Sequence, residues 1–259
     1  MSRDQPQDGE LVELERRDQW WERPLVVIDT ETTGTDPLTA RIVQLSCLGI
    51  YPDGRVSPSS YEAIVNPGVP VPPEASAVHG ITDERIALEG VPLADALYEL
   101  LKRLDRWNRT APVVIFNAVY DWPLLWAELD RTELCWTAPL GDARLLDPLL
   151  IERTFNGVRR GHYSHKLADV VARYRLAVPS DWAAGFHDAR FDCQAAAAVL
   201  RAQVLEYDLL RKLPLAELQR RQRQWFANWR DELNLYWASK GKPQRVRGEW
   251  PFGPKVVSL

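Results

Sequence analysis

The sequence predicts a mixed α/β fold, with a central mixed sheet flanked by helices and a helical C-terminal extension. Two observations carry the fold class and a third the extension. Apolar runs of strand length come first, at residues 25–29, 41–50 and 56–65. Helical spacing then alternates with brief apolar runs, the order produced by crossover connections in a sheet with parallel pairs. The third is an aromatic-rich helical pattern over residues 217–237, beyond the last of these alternations.

Taken in chain order, residues 1–23 are a polar lead-in ending in a tether at Trp20 and Trp21. Residues 25–29 form the first strand, and 41–50 and 56–65 a hairpin joined across Tyr51-Pro52-Asp53-Gly54. Four prolines between Pro67 and Pro73 force an extended loop. Short helices follow near 74–78 and 83–87, then an amphipathic helix at 93–104. A strand at 113–116 leads into a helix at 119–129 with Asn117 as its cap. A strand at 143–146 precedes helices near 167–174 and 188–208, with an exposed basic loop at 156–164. The expected domain division is therefore 24–210 for the main domain and 211–259 for a basic, Trp-rich extension.

Composition bounds the function. The 259 residues include no run resembling a membrane span and no secretory leader, so a soluble protein is expected. Cys47, Cys135 and Cys193 lack metal-ligand spacing and read as free thiols of a reducing compartment, the cytoplasm. The net charge of −4 hides a division: residues 1–210 carry 21 Lys/Arg against 32 Asp/Glu, and residues 211–259 carry 11 against 4. The basic end has two readings, a grip on a polyanion or a dock on the acidic body. The stripe of Trp225, Trp229 and Tyr236 likewise fits core packing or a stacking surface.

The chemistry lies in three acidic segments. Val26-Val27-Ile28-Asp29-Thr30-Glu31 ends an apolar strand with two carboxylates on one side, roughly 7 Å apart. Such a pair repels unless a cation lies between, which reads as a metal site, against the alternative of a solvated acidic loop. Asp121 falls in the first turn of a helix, where an acid also serves the helix dipole. Asp192 enters the apolar helix at 195–200 on its buried edge, a costly place for an uncompensated charge. His187 is placed on the loop or first turn before it, overhanging a site floored by Asp192, where an imidazole can act as a base near neutral pH.

In order and spacing, Asp29-Thr30-Glu31, Phe116-Asn117-Ala118-Val119-Tyr120-Asp121 and His187-Asp188-Ala189-Arg190-Phe191-Asp192 resemble the three motifs of DEDDh-type 3′–5′ exonucleases. The branch includes the proofreading epsilon subunit of bacterial DNA polymerase III. Thr32-Thr33-Gly34 and Val78-His79-Gly80-Ile81-Thr82 are similar to that family as well, and the resemblance spans residues 24–204. Phe116 and Tyr120 depart from the usual His and Phe, without loss of a charged ligand. The C-terminal Gly248-Glu249-Trp250-Pro251 element resembles extensions on stand-alone exonuclease-domain proteins of actinobacteria and their phages.

The resemblance implies a ribonuclease H-like sheet and two divalent ions, Mg²⁺ or Mn²⁺, held by Asp29, Glu31, Asp121 and Asp192. In the family pattern Asp29 bridges both ions, Glu31 and Asp192 bind the nucleophile-side ion, Asp121 acts through water, and His187 takes the proton of the attacking water. It implies release of 5′-mononucleotides from a single-stranded or frayed 3′ DNA end. Thr32, His79 and Ile81 would contact the terminal nucleotide; Arg159, Arg160 and Lys166 have two readings, phosphate contacts further along the strand or a solvated basic loop. RNA ends are the alternative substrate, a binding module without catalysis the alternative function, and a polymerase is a candidate partner.

Overall fold

The computed structural model describes residues 19–107, 111–156, 165–177, 185 and 187–258. A single 3₁₀ turn, Trp20–Glu22, leads into β1 (Leu25–Thr32). β2 (Ile42–Ile50) and β3 (Tyr61–Asn66) complete an antiparallel meander with β1. The third strand starts later than its apolar run suggests. Val56 makes only an isolated bridge to Ile50, and a turn at Ser57 interrupts the ladder where Pro58 has no N–H to give. Helices α1 (Pro73–His79) and α2 (Asp83–Glu89) precede a two-residue strand β4 (Val91–Pro92), parallel to β3, and the long helix α3 (Leu93–Trp107).

β5 (Val113–Val114) lies parallel to β1 on its other side, and helix α4 (Ala118–Thr132) follows it. After a short α5 (Ala138–Gly141), β6 (Leu145–Leu146) pairs parallel with β5. The sheet order is therefore β4-β3-β2-β1-β5-β6, a mixed sheet with β1 central. Helix α6 (Pro148–Asn156) was not expected from the sequence. α7 (Leu167–Arg173), α8 (Ala189–Glu206), α9 (Asp208–Lys212) and α10 (Leu215–Ser239) complete the helices. A hairpin of β7 (Gln244–Arg247) and β8 (Lys255–Ser258), also unexpected, follows α10.

Alternation along β1 divides the core. Val26 and Ile28 join the cluster beneath α3 and α4, while Leu25 and Val27 join the opposite one beneath α8. Asp29 and Glu31 continue the Leu25–Val27 face. The small side chains of Ala196 and Ala197 let α8 lie close to that face, with the Cys193 thiol 3.4 Å from the Val27 carbonyl. All three cysteines are free, two of them buried. On the other face Glu128 of α4 is buried against the start of β2. It accepts from the Arg41 guanidinium at 3.0 Å and from the Ile42 N–H at 3.1 Å, which fixes the helix that carries Asp121.

Helix α10 packs on the main core. Leu215 and Leu218 enter one cluster and Phe226 the other, with Trp225 and Trp229 half-buried beside them. Gln222 is fully buried at the sheet edge. Its amide accepts from the Asp147 N–H at 2.7 Å and donates to the Leu145 carbonyl at 3.0 Å, standing in for a strand that β6 lacks. Among the described residues, no helix is long and apolar enough to cross a membrane.

Candidate active site

Four carboxylates converge where β1, α4 and α8 meet. Asp29 and Glu31 arrive from the end of β1, Asp121 from the first turn of α4, and Asp192 from the first turn of α8. Asp121 accepts a 2.6 Å hydrogen bond from the Thr30 hydroxyl, which ties α4 to the strand bearing the other two acids. One ligand atom each from Glu31, His187 and Asp192 lie within 4.8 Å of one another.

The electrostatics follow from this crowding. Burial raises the Asp29 carboxyl well above its ordinary range, and repulsion from Asp121, Asp192, Glu31 and Asp188 adds to it. Burial, then Asp192, Asp121 and Asp188, push Glu31 up to about 8. Asp121 is raised to about 7 by burial, although the Thr30 hydroxyl pulls it down. Burial likewise raises Asp192 to about 7, against the His187 N–H that bonds it at 3.4 Å. Among the described residues, the charges acting on these four groups are all negative. The cluster must therefore hold protons or a cation at neutral pH. One Asp192 oxygen, Oδ1, is buried with no hydrogen-bond partner among the described residues. A set of hard oxygen donors with an unused lone pair suits Mg²⁺ or Mn²⁺.

His187 precedes the helix, as its spacing suggests. It is exposed, has a left-handed backbone (φ 73°), and directly precedes the N-cap residue Asp188. Asp188 accepts from the backbone N–H groups of Arg190 at 3.0 Å and Phe191 at 3.3 Å, so it caps α8 and adds a fifth negative charge beside the cluster. Sequence reasoning passed over it. Gln44, opposite Glu31 in the β1–β2 register, is another omission. Its buried amide accepts from the Ala189 N–H and donates to Asp188, both at 3.2 Å, so it anchors the helix N-terminus that carries Asp192. The available signal was a lone amide in a strand that is apolar apart from it and Ser46.

Asn117 does not cap α4 through its side chain. It is left-handed (φ 69°) and makes no such bond. Asp147, thirty residues on, accepts from the Asn117 and Ala118 N–H groups at 3.1 Å each. The same carboxylate accepts from Leu149 and Leu150 at the start of α6, so one buried acid caps two helices.

The expected nucleotide contacts divide. The Thr32 hydroxyl bonds the Gly34 carbonyl at 2.8 Å and the Tyr120 hydroxyl at 2.6 Å, beside Asp121. His79 is close enough to His187 and the Thr32 carbonyl for both to affect its charge. Burial lowers its pKa most, and its Nδ1 accepts from the Ile81 N–H at 3.1 Å. Ile81 requires a correction: it is 1% exposed and packs with Val43, Ile64, Val71 and Ile86, so its side chain is committed to a core and cannot stack on a base. Lys166 is exposed just before α7, while Arg159 and Arg160 lie outside the described residues.

Known proteins resemble the chain in sequence and in fold. An epsilon-like protein of DNA polymerase III from Rhodobacter capsulatus is 32% identical over 157 residues, 60% of this chain and 20% of the relative. An uncharacterized exonuclease of Escherichia phage 186 is 29% identical over 195 residues, covering 73% of this chain and 92% of the relative. The chain thus spans about a fifth of the first relative and nearly all of the second. Among solved structures, E. coli exonuclease I in complex with a dT13 oligonucleotide superimposes with a TM-score of 0.57 at 19% identity, over 73% of this chain and 43% of that one. Exonuclease I from Methylocaldum szegediense gives a TM-score of 0.58 at 20% identity, over 73% and 42%. At these identities the likeness is one of fold, a mixed sheet flanked by helices. A family profile described as exonuclease (RNase_T) matches residues 26–200, more than half of the chain, which therefore belongs to the exonuclease family.

Proposed function

We propose that the chain removes nucleotides from the 3′ end of single-stranded or frayed DNA, releasing 5′-mononucleotides. The observation that carries the proposal is the convergence of Asp29, Glu31, Asp121 and Asp192, on which the charges acting among the described residues are all negative. A polyanionic substrate cannot approach such a cluster until cations neutralise it.

Asp29, Glu31, Asp121 and Asp192 would hold the cations. When bound, two divalent cations supply positive charge for the phosphate, acidify the attacking water and offset charge on the leaving oxygen. His187, exposed at the mouth of the cluster, accepts the proton of the attacking water. The water oxygen then bonds to phosphorus as the P–O3′ bond breaks, and the 3′ oxygen of the shortened strand takes up a proton. Thr30 favours the ionised form of Asp121 and holds it in place, and Gln44 with Asp188 holds Asp192 and His187 in register. Thr32 and His79, near this mouth, would touch the terminal nucleotide.

The DNA substrate rests on the oligonucleotide bound by E. coli exonuclease I and on the polymerase III name of the Rhodobacter relative. The test is incubation of purified protein with 5′-labelled single-stranded DNA and matched RNA, with Mg²⁺, Mn²⁺ or EDTA. A metal-dependent ladder shortened from the 3′ end is expected, faster on DNA and lost in His187→Ala. Faster loss of RNA would transfer the reading to RNA ends. Absence of cleavage on both, with or without a replicative polymerase, would overturn it.

A further inference from the structure

The C-terminal hairpin has no part in the catalytic cluster, yet it is built onto the same helix. Trp250, in the loop between β7 and β8, is buried in the main core cluster with Ala118 and Trp122 of α4. Gly253 lies so close to α4 that a Cβ there would meet the Val119 carbonyl at 2.6 Å, and its φ of +84° also favours glycine. Val119 is two residues before Asp121. Summing the bonded and contact distances puts the Phe252 backbone at most roughly 16 Å from that of Asp121. A single strand a few nucleotides long bridges that distance.

The loop and hairpin carry the charge the catalytic end lacks. Residues 240–255 include five Lys/Arg and one Glu, against the acidic balance of residues 1–210. Lys242 and Arg247 are exposed. Phe252, though fixed between buried Trp250 and Gly253, is 55% exposed, an aromatic ring displayed on a rigid turn. Arg247, paired with Lys255, closes the loop that carries this ring, and Lys242 precedes β7 at the other end of the hairpin. A ring and cations spaced along one element are a combination that holds a single strand without reading its sequence, by stacking and phosphate contact.

We propose that Phe252, Lys242 and Arg247 form a strand-holding surface that grips single-stranded nucleic acid upstream of the 3′ end being cleaved. This rests on the exonuclease reading and deepens it. The surface keeps the strand near the acidic cluster between successive cleavages, so its contribution grows with strand length.

The test compares a 20-nucleotide DNA strand with a dinucleotide, using the full chain, a Lys242→Ala/Arg247→Ala/Phe252→Ala variant, and Arg55→Ala as a charge control. Arg55 follows the β1–β2 end opposite Glu31, since Leu25 pairs with Ile50. The triple variant is expected to raise KM for the long strand at least about fivefold relative to that for the dinucleotide. Its salt dependence, the slope of log(kcat/KM) against log salt on the long strand, should flatten by roughly 1.4, for two lost phosphate contacts. Arg55→Ala should keep the parental ratio. If the parent cleaves both substrates and the triple variant keeps the parental ratio and slope, the grip is refuted and the exonuclease stands. If the parent cleaves neither, the exonuclease reading fails and the grip with it.

Discussion

Chelation at different pH values probes the acidic cluster most directly. In metal-free protein Glu31 titrates near 8 instead of its ordinary 4.5, because burial and its acidic neighbours disfavour the charged form. Between those two values the folded state holds a proton that the unfolded chain has released, so stability falls as pH rises. The contribution is whole below about 4.5 and is lost through about 8. At about 1.4 kcal/mol per pH unit, the Glu31 interval alone approaches ~5 kcal/mol. Asp121 and Asp192, near 7, titrate together with it, so the cluster's total is less than the sum of its members. A divalent cation must displace these protons, and its apparent affinity rises with pH. Calorimetric Mn²⁺ titrations of EDTA-treated protein should strengthen at least about tenfold per pH unit from 6 to 7 and level off above about 8.5. Thermal melts should show Mn²⁺ stabilising the protein more at pH 8 than at pH 5.5. A pH-independent Mn²⁺ affinity, with a metal-free protein that grows more stable from pH 5.5 to 8, would refute the reasoning.

Other perturbations separate chemistry from scaffold. His187→Ala should lower kcat by roughly 10²–10⁴-fold while Mn²⁺ affinity changes less than about tenfold, as read by kinetics and calorimetry together. Asp29→Ala should abolish both, because Asp29 is the acid that feels all four of the others. Gln44→Leu keeps volume but leaves the Ala189 N–H and Asp188 without their partner; kcat should fall while circular dichroism and KM stay near parental values. Gln222→Leu strands the Asp147 N–H and the Leu145 carbonyl in the core, a loss of about 2–4 kcal/mol in urea unfolding. An unchanged urea midpoint for that variant would mean that α10 is not part of the folding unit that carries the site.

Much of the site was legible because its residues announce themselves locally. Two carboxylates two positions apart at the end of an apolar strand share a face by geometry alone, and Asp192 beside an alanine-rich buried helix needs compensation wherever the helix docks. What escaped depends on partners far along the chain. Asp147 reads as an ordinary acid before a proline until Asn117 turns left-handed and presents two amides to it. Gln222 looks like one more polar position on a helix until it meets an edge strand of two residues. Ile81 follows a motif histidine, and only the fold shows that its side chain fills the space between α1, α2 and the sheet.

The β7–β8 hairpin marks the same boundary from the other side. Its strands are four residues each and bear charges, too short and polar for alternation to reveal, and their register exists only because Asn234 and Trp250 hold them on α10 and the core. The sequence by itself determined the strands-first, helices-later order around the main sheet, the paired acids of β1 and their hard-oxygen chemistry. Those properties follow from side-chain period and charge within a few residues. Tertiary structure decided which acids share one cluster, how far their pKa values rise, and what stands beside them. Burial and Coulomb repulsion depend on distances between segments up to 163 residues apart, from Asp29 to Asp192, and only packing sets such distances.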